Sequence, residues 1–170
     1  RSDRRGGNVI YIGARDSGTS TNTVAVRNVL GTNTISGNVT ISAGGNVYQL
    51  VSDAGLLRLT GTWGAAGTAA NTSRTIALSG AGDFDIAGSI PVQGTTSFNF
   101  TKTGAGTVFF SGTRAMGGNT TVSGGRLFMN SGALFSNRAG TVTVASGATL
   151  AGSGTLENVL FGSQEEPGSQ

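Results

Sequence analysis

Phe100 to Gly112 reads FTKTGAGTVFFSG, and this stretch decides the fold. Two short runs of alternating residues, FTK and TVFF, flank a Gly-Ala-Gly corner, and Ser-Gly closes the second run. The phrase recurs along the chain: TISGNVTISAGG from Thr34, RTIALSGAGDFDIAG from Arg74, NTTVSGGRLFMN from Asn119 and GTVTVASGATLAGSGTL from Gly140. Self-similarity of this kind marks a stacked-repeat architecture. Each run has a two-residue period, which puts alternate side chains on opposite faces of a strand. The expected inward pairs are Val39 and Ile41, Leu57 and Leu59, Ile76 and Leu78, Phe84 and Ile86, Phe98 and Phe100, Val108 and Phe110, and Val142 and Val144. Apolar residues never recur at helical spacing over a long window, and Gly interrupts each candidate.

The corners separate two all-β alternatives. Asn-Gly and Asp-Gly, the dipeptides of two-residue hairpins, are missing, whereas Ser-Gly, Ala-Gly and Gly-Gly abound. That favours strands joined by corners, each lying on its counterpart one turn earlier, about 4.8 Å away. The expected fold is therefore an all-β parallel β-helix (β-solenoid) with essentially no α-helix and about 20 to 25 residues per coil. The sequence divides into an N-terminal segment with a lone apolar strand, a cap or a partner-pairing strand (residues 1–30), solenoid repeats (31–161) and an acidic tail or linker (162–170). Three stretches poor in inward pairs, Thr62 to Ser73, Gly112 to Gly118 and Phe135 to Ala139, are expected to loop out.

Three of these phrases carry a family resemblance. FTKTGAGTVFFSG, NTTVSGGRLFMNSGAL and GTVTVASGATLAGSGTL resemble the autotransporter-associated β-strand repeat, also called the passenger-associated transport repeat. The likeness is close from about Phe100 to Leu156, looser from Thr34 to Ile90 and weak before Leu30. It implies a right-handed coil belonging to a secreted or cell-surface bacterial protein. It also implies a stalk or passenger scaffold that aids export by folding progressively, with no catalytic residues of its own.

Composition narrows the chemistry. The chain has 170 residues, 30 Gly, 11% charged residues and neither His nor Cys. Lack of His removes Ser-His-Asp catalysis and imidazole metal sites; lack of Cys removes disulfides and thiolates. The net charge is +3, but apart from Arg1, Arg4 and Arg5 the cations are scattered, with no aromatic ladder among them. Nucleic acid is therefore not an expected partner. No apolar stretch reaches the length of a membrane-spanning helix. There is no starting Met and no signal peptide, so the chain reads as a mature product or a piece of something longer. No enzyme activity and no cofactor are expected.

The remaining candidates are few. Asp83 and Asp85 alternate with Phe84 and Ile86, so both face outward about 6 to 7 Å apart, a spacing compatible with a Ca²⁺ site or a glycosidase pair. Solvated strand-surface charges are the plainer reading. Lys102, the only Lys, is expected to point into solvent. Asn38, Asn46 and Asn119 follow corner glycines and suit stacked Asn ladders. Trp63, entering an irregular stretch, is the candidate for contact with a cell-surface glycan. Self-association is the other candidate role. Arg1, Arg4 and Arg5 at one end and Glu165 and Glu166 at the other suit head-to-tail stacking of copies or adjoining repeats into a filament. The strand Val9, Ile10, Tyr11 and Ile12 could add to the edge of the next subunit.

Overall fold

In the computed structural model, residues 9–12, 24–41, 47–65, 73–90, 97–115, 117–136, 140–156 and 159–161 are described. These residues contain no helix. The first strands are β1 (Val9–Ile12), β2 (Val24–Leu30), β3 (Thr32–Ile35), β4 (Val39–Ile41), β5 (Val47–Ser52), β6 (Leu56–Leu59) and β7 (Trp63–Ala65). Next come β8 (Arg74–Ser79), β9 (Asp83–Ile86), β10 (Phe98–Lys102), β11 (Thr107–Phe110), β12 (Thr113–Ala115) and β13 (Thr120–Val122). The last are β14 (Arg126–Met129), β15 (Leu134–Ser136), β16 (Val142–Val144), β17 (Thr149–Gly152), β18 (Thr155–Leu156) and β19 (Val159–Phe161).

They form a parallel β-solenoid with three faces. Face one stacks β2, β5, β8, β10, β13, β16 and β19 in parallel, and face two stacks β3, β6, β9, β11, β14 and β17. Face three begins with β4 on β7 and ends with β12, β15 and β18. Between these pieces Trp63 N–H donates to Ser89 O, and Ile90 N–H to Thr113 O, so the ladder continues. One coil spans 24 residues from Asn33 to Leu57 and 19 from Phe109 to Phe128.

Each face contributes inward columns, one residue per coil. Leu57, Phe84, Val108 and Leu127 are in register on face two, as are Leu59, Ile86, Phe110 and Met129. Each of these is at most 1% exposed. Tyr48, Ile76, Phe100, Thr120 and Val142 form a column on face one. Phe100 and Phe110 meet edge to face across the interior, with centroids 5.1 Å apart. The expected inward pairs are in the core, with Val39 partly covered in the first coil. Burial and backbone pairing thus reinforce each other, because one register satisfies both.

Three details differ from the sequence expectation. β2 precedes residue 31, yet it is a parallel strand of face one. β1 is not a lone strand: it pairs antiparallel with β2 and caps that edge of face one on its own chain. Pairing there satisfies backbone groups that the first strand of a stack would otherwise leave open. The expected loops contain strand: β7 falls in Thr62 to Ser73, β12 in Gly112 to Gly118, and β15 reaches into Phe135 to Ala139. A strand of three residues with one inward side chain is too short to show a period-two signal. Residues 66–72 and 137–139, and the end charges Arg1, Arg4, Arg5, Glu165 and Glu166, lie outside the described residues.

The corners show why Gly recurs. Gly37, Gly61 and Gly88 occupy matching positions, two residues before Val39, Trp63 and Ile90. A Cβ on Gly61 would lie 2.1 Å from Gly37 O, and one on Gly88 1.8 Å from Gly61 O. Among the described residues no coil precedes Gly37 at that corner, and a Cβ there would meet nothing within 4 Å. Gly61→Ala is therefore expected to cost about 2 kcal/mol or more through overpacking, whereas Gly37→Ala shifts stability by less than about 0.5 kcal/mol. Chemical denaturation of both variants checks this; equal losses would refute the stacking explanation.

Candidate functional site

The outer surface of face two gathers most of the polar chemistry on the described residues. Two outward columns run along it. One contains Thr32, Leu56 and Asp83, and continues through Thr107, Arg126 and Thr149. The other contains Thr34, Arg58, Asp85, Phe109, Phe128 and Ala151. By contrast, the middle outward column of face one is Gln49, Ala77, Thr101, Thr121 and Thr143. Asp83 and Asp85 face outward, as their alternation with Phe84 and Ile86 dictates.

Both carboxylates join neighbouring coils. Asp83 Oδ1 accepts from Thr107 N–H at 2.7 Å. Asp85 Oδ2 accepts from Arg58 Nε at 2.8 Å, and its side chain is only 15% exposed. Arg27 and Asp53 make a second inter-coil pair at 2.7 Å, where the hydrogen bond and charge of Asp53 hold the Arg27 pKa above its usual value. Exposed pairs of this kind add little stability; they match the register that the backbone sets. Among the described residues, no three His, Cys, Asp or Glu side chains group as a metal site would require.

Two of the three buried cations lie beneath this surface; the third, Arg74 at the start of β8, is 6% exposed and donates to Ser73 O. Lys102 points inward, contrary to expectation, and is fully buried. It occupies the column Val26, Leu50, Leu78, Lys102, Val122 and Val144, where every other member is apolar. Its stem replaces an aliphatic side chain, while its head reaches the corner. There Nζ donates to Thr103 O at 2.7 Å, Gly104 O at 2.8 Å and Gly124 O at 3.2 Å. A Cβ on Gly125 would stand 2.8 Å from Nζ. Nearer the first coil, Asn28 Nδ2 donates instead to Ser52 Oγ and Ala54 O, both at 3.0 Å. Corner carbonyls turned inward thus receive a donor by either route.

Arg114 is the second buried cation. It is on β12 and fully buried. Its guanidinium donates to Ile86 O, to Ser111 O at 2.8 Å and to Thr113 O at 3.3 Å. Its central carbon lies 5.1 Å from the Phe110 ring centre, a favourable cation–π arrangement. Burial lowers the Arg114 pKa to about 10 against the opposing charge of Asp85, so it stays charged at neutral pH. Burial likewise lowers the Lys102 pKa to about 8, opposed by Asp83. The sequence signal for an inward Lys102 was its alternation with Phe98 and Phe100, against which the residue type alone pointed outward.

The other candidates resolve as follows. Trp63 is 1% exposed and belongs to the core, so it presents no ring to a glycan. The corner Asn residues are exposed caps rather than an internal ladder: Asn38 Oδ1 accepts from Thr62 N–H, and Asn119 Oδ1 from Thr141 N–H, each at 3.0 Å. Asn46 lies outside the described residues. No helix among the described residues is long and apolar enough to cross a membrane.

Compared with protein-family models, with curated proteins and with solved structures, the chain gives no match.

The Lys102 site carries a pH prediction. The unfolded chain holds this proton up to its ordinary value of 10.5, whereas the folded chain releases it from about pH 8. Between these values the unfolded state binds more protons, so stability rises with pH. The burial penalty is in full force below about pH 8. Lys102→Met removes this group, so the wild-type melting temperature should climb relative to that of the variant from pH 7.5 to 10. Parallel pH profiles would show that the ammonium is not desolvated. Lys102→Ala, which also leaves a cavity and orphaned carbonyls, should cost about 2 to 4 kcal/mol.

Proposed function

We propose that this chain is a non-enzymatic structural β-solenoid of a secreted or cell-surface bacterial protein, a stalk or passenger scaffold. The observation that carries this reading is how the buried polar groups are used. Lys102, Arg114 and Asn28 all donate to backbone carbonyls at corners or strand ends. The chemistry inside the coil is thus directed at holding coils together. The repeat phrases favour export, and the absence of Cys favours a protein that needs no reducing compartment. A stack whose coils contact mainly their neighbours can fold progressively from one end, which suits a chain crossing a membrane unfolded.

The test is export. The chain is placed between a signal peptide and an outer-membrane translocator barrel, and surface arrival is followed by antibody labelling of intact cells. Wild type should reach the surface in a protease-resistant form, and Gly61→Ala should arrive in smaller amounts. Accumulation of wild type inside the cell would refute the proposal.

A second reading is end-to-end assembly into a filament, favoured by the state of the end coils. Val26, Ile35 and Val39 in the first coil and Leu150 and Leu156 in the last are only partly buried. The first coil also opens on an apolar cavity of about 260 Å³ between Val26, Ile35 and Trp63. Among the described residues, β3 and β17 each have one unpaired edge. Sedimentation velocity at rising concentration and low salt distinguishes the readings: growing species support assembly, and a constant monomer excludes it.

A further inference from the structure

The geometry points to a carbohydrate-binding groove on the outer surface of face two. The groove has a volume of about 490 Å³ and is lined by Thr32, Leu56, Asp83, Asp85, Phe109 and Asn130, with glycine and alanine corners on its floor. It runs from β3 to just past β14, across five successive coils, roughly 19 Å at about 4.8 Å per strand spacing. It therefore follows the coil axis and suits an extended polymer better than a compact small molecule.

Three features select the ligand class. First, Phe109 and Phe128 point outward on adjacent coils, with ring centres 5.7 Å apart and planes tilted by 56°. Each is half-buried in a column where Thr34, Arg58 and Asp85 show that no apolar side chain is required. An outward aromatic pair on a strand surface is an informative exception to ordinary burial. Its faces provide a platform for the C–H face of a sugar ring. Second, Asp83 offers a carboxylate oxygen to hydroxyl donors, and bonds of this kind are short and charge-assisted, while Asp85 is held by Arg58 and shapes the wall beside it. Asn130, whose Nδ2 donates to Ser111 Oγ at 2.7 Å, brings an amide carbonyl to the same groove. Third, the charge balance disfavours ionic ligands. Arg58 is paired with Asp85, and Lys102 and Arg114 sit beneath the carboxylates with opposing charge. A cationic peptide would meet no net negative field. An acidic polymer would find Lys102 and Arg114 fully buried and Arg58 held by Asp85, which leaves Arg126 as the exposed cation of these columns. A neutral chain of hydroxyl-bearing rings fits all three features.

The experiment uses the whole chain and neutral oligosaccharides of four to six units: gluco-, galacto-, manno- and N-acetylglucosamine series. Amide chemical-shift mapping should show at least one series perturbing residues 83–85, 107–109 and 128–130. Phe109→Ala should weaken that binding about tenfold, the upper range for a lost aromatic contact. Asp83→Asn, which keeps an acceptor for Thr107 N–H, should also weaken it. Phe109→Tyr retains the platform and should bind, which separates loss of the ring from loss of folding. Thr101→Ala on face one should leave affinity unchanged. No perturbation by any series, perturbation confined to other faces, or undiminished binding by Phe109→Ala would each overturn the inference. So would binding of basic or acidic peptides to these residues in place of sugars. Export and coil stability are measured independently, so this groove can fail while the scaffold reading stands.

Discussion

Everything in this molecule depends on the close approach of one coil's backbone to the next. Strands of successive coils share N–H and C=O groups across the full height of each face, so each coil completes the hydrogen bonding of its neighbours. The distance this imposes, about 4.8 Å, is fixed along strands and must also hold at corners. There a side chain would collide with the preceding coil's carbonyl, as the Gly37, Gly61 and Gly88 series shows. Glycine abundance is thus a packing requirement set by the stack. It reflects close contact more than looseness.

The same constraint explains the buried cations. Corners turn some carbonyls inward, away from both the strand ladder and water. Such a group needs a donor, and its desolvation is costly without one. Asn28 supplies a donor at one level, Lys102 at another and Arg114 on a third. The two cations carry a burial penalty that lowers both pKa values, and the carboxylates on the outer surface offset part of it. The structure therefore couples its interior to face two: Asp83 and Asp85 serve the register, balance the charge beneath them and line a groove.

A rod that uses its interior polarity for backbone satisfaction leaves recognition to its outer columns. Face one presents Arg27, Gln49 and Asn99 among small and hydroxyl side chains, while face two presents Arg58, Asp83, Asp85, Phe109 and Phe128. This division gives a scaffold one differentiated side without disturbing the core, because alternate residues on a strand answer to different surroundings.

The fold was legible because its determinants are local and repeated. Period-two alternation assigned Leu57, Leu59, Phe84, Ile86, Val108 and Phe110 to the interior, and Gly-rich corners without hairpin dipeptides selected parallel stacking. The outward direction of Asp83 and Asp85 followed from the same alternation. The strands β7 and β12 escaped, since three residues carry too little periodicity, and with them went the burial of Trp63 and Arg114. Lys102 was misdirected because residue type outweighed its register with Phe98 and Phe100. Which residues of different coils become neighbours depends on coil lengths that vary from 17 to 28 residues. Only the assembled stack fixed that register, and with it the Arg58–Asp85 pair, the Phe109–Phe128 platform and the three carbonyls around Lys102. Alternation is a property of one strand, whereas a site built across strands exists only once the coils have closed on one another.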